Sequence, residues 1–247
     1  MSENSKITAF DGESLRTLFL ASQSPRRAQL LRQIGIPFAL VDSEIDEQAR
    51  ADERPIDYVS RMAKEKVAAG YQVLEQRGKQ NFVVLAADTI VVADGGAAVE
   101  PGGKVADPSL AVTPGTALLT TLGTAILGKP KDQGDAESML MMLSAKSHFV
   151  VTAFAVMSHS NSLSAEAQRN LKVGLTQTRV SFASVSRAQA EWYWATGEPL
   201  GKAGGYAIQG LGAVFIDAIE GSYSGVVGLP LYETSILLRE FGIVPKC

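Results

Sequence analysis

The sequence predicts a single α/β domain on a mixed sheet with flanking helices, split into two lobes by a central cleft. Three observations carry this. Short apolar runs alternate with segments of helical period in the N-terminal half. Long strand-like runs follow one another later in the chain, as antiparallel neighbours do. The 247 residues are 46% hydrophobic and 20% charged, which is enough apolar surface for a substantial core.

Leu15 to Ser22 reads as the first strand, centred on Leu18-Phe19-Leu20-Ala21. Ser24 is placed as a helix N-cap and Pro25 suits the first helical position. Ala28, Leu30, Leu31 and Ile34 then recur at helical spacing, and Gly35 ends the helix. The first turn of that helix holds Arg26 and Arg27. Phe38 to Val41 is a second strand, followed by the acidic stretch Asp42, Glu44, Asp46 and Glu47. Pro55 opens a long helix to about Gln76, with Tyr58, Val59, Met62, Ala63, Val67, Tyr71 and Leu74 as its apolar stripe and Lys64 and Lys66 flanking it.

Phe82 to Ala87 reads as a buried strand ending at Asp88-Thr89 and continued by Ile90 to Val92, with Asp94-Gly95-Gly96 as a turn. Residues 97–124, rich in Gly, Ala, Thr and Pro and almost free of charge, read as an extension growing out of that turn. Gln133 to Leu143 is a helix packing Ala136, Met139, Leu140 and Leu143. His148 to Met157 and Val173 to Ser184 are long strands. Ser186 and Gln189 form a capping box ahead of a helix over Ala190 to Ala195. Ala213 to Ile219 is a strand, and Pro230 starts a last helix ending at Gly242.

Composition excludes several classes. A formal net charge of -3 gives no global basic field for nucleic acid or an anionic membrane. The only cysteine is Cys247, which excludes a disulfide framework or a cysteine zinc site within one chain and suits a reducing cytoplasm. Met1 to Asp11 has no apolar signal-peptide core, and the apolar run Phe82 to Val92 is too short to span a bilayer. His148 and His159 are too few for a histidine metal cluster, and each is expected at the surface or a strand end.

Four segments could carry chemistry. Ser22-Gln23-Ser24-Pro25-Arg26-Arg27 places free amides and two arginines at a helix N-terminus, where cations oppose the dipole unless a polyanion is bound; the plainer alternative is a solvated basic turn. Asp88-Thr89 puts a carboxylate at a strand end, suited to orienting water or a metal, or simply to capping a turn. Gly197 to Gly210 holds Glu198, Lys202 and Gln209 among glycines that permit close backbone approach, or make a flexible connection. Gly221 to Pro230 sets small residues and amides before a helix.

In this order the segments resemble the Maf family of nucleotide pyrophosphatases. The matching pieces are Leu20 to Arg27, Arg61 to Lys66, Ala87-Asp88-Thr89, Gly128-Lys129-Pro130, Glu198 to Gly210 and Gly221 to Leu231. Each match is weak alone; the ordered set is specific. The resemblance implies a fold like that of inosine-triphosphate pyrophosphatases, an elongated mixed sheet with a cleft, and cleavage of a nucleoside triphosphate between its α and β phosphates with a divalent metal, Mg or Mn. It implies Asp88 as proton acceptor. It makes Lys66 and Lys129 catalytic cations, with Ser22, Ser24, Arg26, Arg27, Glu198 and Lys202 holding substrate. Thr89 and Gln209 match positions linked to substrate choice, and Ile208-Gln209-Gly210 resembles the subgroup acting on dTTP and UTP. A triphosphate carries about four negative charges, which Arg26, Arg27, Lys66, Lys129 and Lys202 could offset, with a metal adding two more positive charges; Glu44 and Glu47 of the acidic stretch are the candidate ligands, the alternative being a solvated loop. A homodimer is implied, with no nucleic acid or membrane partner. Two alternatives stand beside this: a nucleotide-sensing regulator of septum formation without turnover, and a purine house-cleaning enzyme acting on ITP or XTP. One departure is evident, because the family has a short hairpin where residues 97–124 intervene before Lys129.

Overall fold

The computed structural model describes residues 16–42, 44–51, 53–93, 110–112, 125–159 and 169–245. The strands are β1 (Thr17–Leu20), β2 (Ala39–Leu40), β3 (Phe82–Ala93), β4 (Leu110–Val112), β5 (Ala125–Leu127), β6 (Ser147–His159), β7 (Arg169–Phe182) and β8 (Ile216–Glu220). The helices are α1 (Pro25–Gln33), α2 (Pro55–Gln76), α3 (Gln133–Leu143), α4 (Arg187–Ala195), α5 (Tyr223–Val227) and α6 (Leu231–Glu240), with 3-10 turns at Ala203–Gly205 and Leu211–Phe215.

One mixed sheet runs β2-β1-β3-β6-β7-β4, with β5 also on β3 and β8 also on β7. The β3, β6 and β7 strands are long and antiparallel, while β1 pairs in parallel with both β2 and β3. The β3 strand is apolar on either side of Asp88-Thr89 because both of its faces are covered there. Val84, Ala86, Ile90 and Val92 face α2 in one core. Val83, Leu85 and Ala87 face a second core made with α1 and α6. Val91 and Ala93 enter a third with α3 and α4. Gly204, at φ 69°, lets the 203–205 turn sit on β3, since a Cβ there would meet the Val91 side chain at 2.9 Å.

Several expectations are corrected. Asp88-Thr89 lies within a strand rather than at its end: β3 continues over Ile90 to Val92 as expected and runs on to Ala93. The β1 pairing reaches only Leu85, and the β5 pairing begins at Val91, so the edge of β3 opposite β6 lacks a strand partner at residues 86–90 among the described residues. Asp88 therefore reaches open space through a gap in the sheet. His148 is not a surface residue but is fully buried in β6, its Nε2 2.7 Å from the Tyr206 hydroxyl; His159 does end β6. The expected strand from Ala213 begins only at Ile216, after a 3-10 turn whose Phe215 fills the third core. Ser24 stands at the N-cap of α1, but its side chain makes no capping bond. Of the expected 97–124 extension, residues 110–112 pair in parallel with Val173 to Leu175 of β7, and the remainder lies outside the described residues.

Candidate active site

Period-two alternation along β3 separates the chemistry of Asp88 from that of Thr89. Asp88 occupies an even position, on the α2 face. There it meets Lys66, whose Nζ lies 2.6 Å from Asp88 Oδ1. Lys66 does not flank the apolar stripe of α2. It lies on it, seven residues from Val59 and four from Met62, and is only 8% exposed. A buried ammonium needs a charge partner, and Lys66 has two, since Glu47 Oε1 approaches to 2.8 Å. Lys129 reaches the other oxygen of Glu47 at 3.1 Å, so it returns to the cleft despite the preceding insertion. Burial alone would raise the Glu47 carboxyl, but the two lysines outweigh it and hold it down at about 2.

The loop bearing Glu47 is pinned to α2. The Tyr58 hydroxyl donates to the Glu47 carbonyl at 2.9 Å. The Arg61 guanidinium donates to the Gln48 carbonyl and forks onto the Glu53 carboxylate at 2.6 and 2.7 Å. Tyr58 read in the sequence only as stripe, and Arg61 only as the first residue of a matching segment.

Thr89 occupies the opposite face and meets Arg27. That guanidinium donates to the Gly228 carbonyl at 2.9 Å, the Ser22 hydroxyl at 3.1 Å and the Thr89 hydroxyl at 3.4 Å. Three of its five N–H groups are thus used, and two remain for a ligand. Burial lowers the Arg27 pKa, against the opposing pull of the Asp88 charge. Thr152, fully buried directly opposite Thr89 on β6, donates to the Gly225 carbonyl at 2.8 Å. A hydroxyl has one proton, so Thr89, 2.9 Å away, must donate to Thr152. The chain runs Arg27 to Thr89 to Thr152 to Gly225, and Thr89 can face the cleft only as an acceptor. Thr152 was missed in the sequence because it reads as one residue of a β-branched strand.

Asp88, Lys66, Glu47, Lys129, Arg27 and Thr89 line one cleft of about 600 Å³, together with Ser22, Ser24, Arg26, Glu44, Lys202 and Gln209. The first amides of α1 open onto it without a side-chain cap, a ready anion seat. The cations Arg26, Arg27, Lys66, Lys129 and Lys202 outnumber the carboxylates Glu44, Glu47 and Asp88. Asp88 Oδ1 is engaged by Lys66, and Oδ2 has no hydrogen-bond partner among the described residues. Such an oxygen can accept a proton from water held beside a bound phosphate.

Two expected residues sit differently. Glu198 does not line the cleft: its carboxylate turns inward onto the Tyr193 hydroxyl and the amides of Leu211 and Gly212. Glu44 lines the wall without a bond to either lysine, so the acidic stretch does not supply Glu44 and Glu47 as a ready pair. No group of three or more His, Cys, Asp or Glu side chains is placed to hold a metal among the described residues. Asp88 and Glu47 do converge on one cation, Lys66 Nζ. The Glu47 carboxylate completed by phosphate oxygens and water forms a donor set that fits Mg or Mn. No helix among the described residues is long and apolar enough to cross a membrane.

Residues 17–241 match the family model described as Maf-like protein. A protein of Hahella chejuensis named dTTP/UTP pyrophosphatase is 42% identical over 236 residues, covering 95% of this chain and 97% of its own. Relatives with the same name occur in Pseudoalteromonas atlantica, 40% identical over 93% of this chain and 100% of its own, and in Pasteurella multocida, 41% identical over 91% and 96%.

Proposed function

The chain belongs to the Maf-like protein family, and from that premise we propose that it hydrolyses dTTP and UTP to the monophosphate and pyrophosphate. The observation that carries the reading is the meeting of Asp88, Lys66 and Glu47 in the β3 gap, in one cleft with the uncapped start of α1 and its arginines. The polyphosphate lies along Arg26, Arg27, Lys129 and the α1 amides, which fix it and balance its charge. Lys66 fixes the Asp88 carboxylate through Oδ1, leaving Oδ2 to take a proton from water. That water's oxygen bonds to the α phosphorus as the bond to the bridging oxygen breaks. The electron pair leaves with pyrophosphate, and the monophosphate keeps the new oxygen. Positioning and charge stabilisation supply most of the acceleration, as in other phosphoryl and nucleotidyl displacements.

A divalent cation belongs to this proposal. Glu47 would hold it with phosphate oxygens and water, and it would supply further neutralisation of the leaving pyrophosphate. Gln209, Ile208 and Lys202 line the rest of the cleft and are assigned to the nucleoside end, with Thr89 as an acceptor beside it. The proposal places the enzyme in the cytoplasm as a single domain that forms a homodimer; light scattering that returns the monomer mass would remove the dimer.

The test is a pyrophosphate-release panel over common nucleotides, with and without Mg or Mn. The expected result is release from UTP and dTTP that needs the metal. Orthophosphate as the only product refutes the reaction, and a preference for ITP or XTP replaces the substrate class. Tight binding with background turnover across the panel would turn the enzyme into a nucleotide sensor.

A further inference from the structure

The cleft turn that carries Gln209 is held from behind by two side chains that never reach the ligand space. Tyr193 is fully buried on α4. Its hydroxyl accepts from the Ala207 amide at 3.0 Å and donates to Glu198 Oε1 at 2.6 Å. Glu198 Oε1 also accepts from the Gly212 amide at 2.9 Å, and Oε2 accepts from the Leu211 amide at 3.0 Å. One phenol and one carboxylate therefore grip the backbone on both sides of Ile208-Gln209-Gly210. Within that span the Gly210 amide closes a turn onto the Ala207 carbonyl at 3.2 Å.

The grip leaves no slack. A Cβ on Gly210 would lie 2.2 Å from Glu198 Oε2, and one on Gly212 would lie 2.6 Å from the Tyr193 hydroxyl. Gly210 and Gly212 thus serve close approach of protein to protein, where the sequence suggested approach of such glycines to a ligand. Burial raises the Glu198 carboxyl, but hydrogen bonds from Tyr193 and the two amides outweigh it and lower it overall, which marks the carboxylate as the form the network is built around. Ala207, Ile208 and Gln209 face the cleft in front of the grip, at a distance in sequence from the Asp88 and Lys66 cluster.

We propose that Tyr193 and Glu198 are positioning residues that set the shape of the 207–210 turn, and that through it they govern recognition of the nucleoside end of the substrate without touching the phosphate chemistry. The inference rests on the reading of the cleft as a nucleoside triphosphate site.

The test compares UTP with inorganic tripolyphosphate, which shares the phosphates and lacks the nucleoside. Y193F keeps the ring and removes the hydroxyl; E198Q keeps the shape and cannot accept from both amides as the carboxylate does. In each variant KM for UTP should rise about tenfold and discrimination between UTP and GTP should narrow, the scale expected when buried amides lose their partner. The kcat should stay within about threefold, since every group proposed to contact phosphate is unchanged. The inhibition constant of tripolyphosphate should also stay within about twofold on the same ground. Unchanged KM and discrimination would overturn the proposal, as would parallel weakening of UTP and tripolyphosphate, which signals general damage. Should Y193F fail to fold, E198Q carries the comparison alone. The same contrast can be read by calorimetric binding of UTP and tripolyphosphate, so wild-type protein without turnover would sink the catalytic reading while this inference is still decided by the binding data.

Discussion

Thr152→Val should be far more damaging than its size suggests. Valine conserves the shape of threonine, so no cavity opens in β6. What is lost is the hydroxyl that donates to the Gly225 carbonyl at 2.8 Å and accepts from Thr89 at 2.9 Å. At a fully buried position no water replaces either bond. Each polar group left without a partner costs about 1–3 kcal/mol, and Thr89 can partly turn away, so a net loss of about 2–4 kcal/mol is expected. For a chain of this size that lowers Tm by roughly 5–15 °C. Arg27 donates to Thr89 and to Gly228, three residues beyond Gly225, so two of its three anchors shift together. The kcat/KM for UTP should then fall about tenfold, equivalent to about 1.4 kcal/mol of lost positioning. Urea unfolding and initial-rate kinetics on T152V and T152S give the answer. T152S keeps the hydroxyl and loses one methyl, and should cost only about 1 kcal/mol with nearly wild-type kinetics. A T152V protein as stable and active as wild type would refute the directed chain, and so would a T152S protein damaged as badly as T152V.

His148 makes stability depend on pH. Burial lowers its pKa from 6.5 to about 4, so below pH 6.5 the unfolded chain takes up a proton that the folded chain refuses. Stability should fall from pH 6.5 to about 4 by up to about 3 kcal/mol from this residue, and the effect levels off once the folded state also protonates. His148→Gln can keep a polar partner for Tyr206 and does not titrate; denaturant unfolding across that window should show a shallower loss than wild type. Glu47→Gln weakens a proposed metal ligand, so the Mg concentration for half-maximal pyrophosphate release should rise on the order of 10–100-fold, the range seen when a ligand's support is disturbed. An unchanged Mg requirement would remove Glu47 from the donor set.

Much of the fold could be read from period and punctuation, because helix α2, helix α3 and the capping box at Ser186 are set by local rules. Asp88 could be picked out as a carboxylate in an apolar run, but the reason for its accessibility could not. That reason is the end of β1 pairing at Leu85 and the start of β5 pairing at Val91, a fact of topology with no local trace. Lys66 was nearly legible, since a lysine four residues from Met62 on an apolar stripe demands a buried partner. His148 misled because a polar residue at the start of a strand usually marks an edge, whereas here Phe182 and Tyr206 close over it. Glu198 misled for the opposite reason: beside a glycine-rich motif it reads as a ligand contact, and only the return of Leu211 and Gly212 reveals that it binds its own chain.

The central claim is that Asp88 activates water to attack the α phosphorus. The most direct measurement is UTP hydrolysis in water enriched in oxygen-18, with mass analysis of both products, for wild type and Asp88→Asn. The label should appear in the monophosphate and not in pyrophosphate, and Asp88→Asn should slow the reaction roughly 100- to 10,000-fold, the usual contribution of a positioned base. Label in pyrophosphate or orthophosphate, or an Asp88→Asn enzyme as fast as wild type, would contradict it.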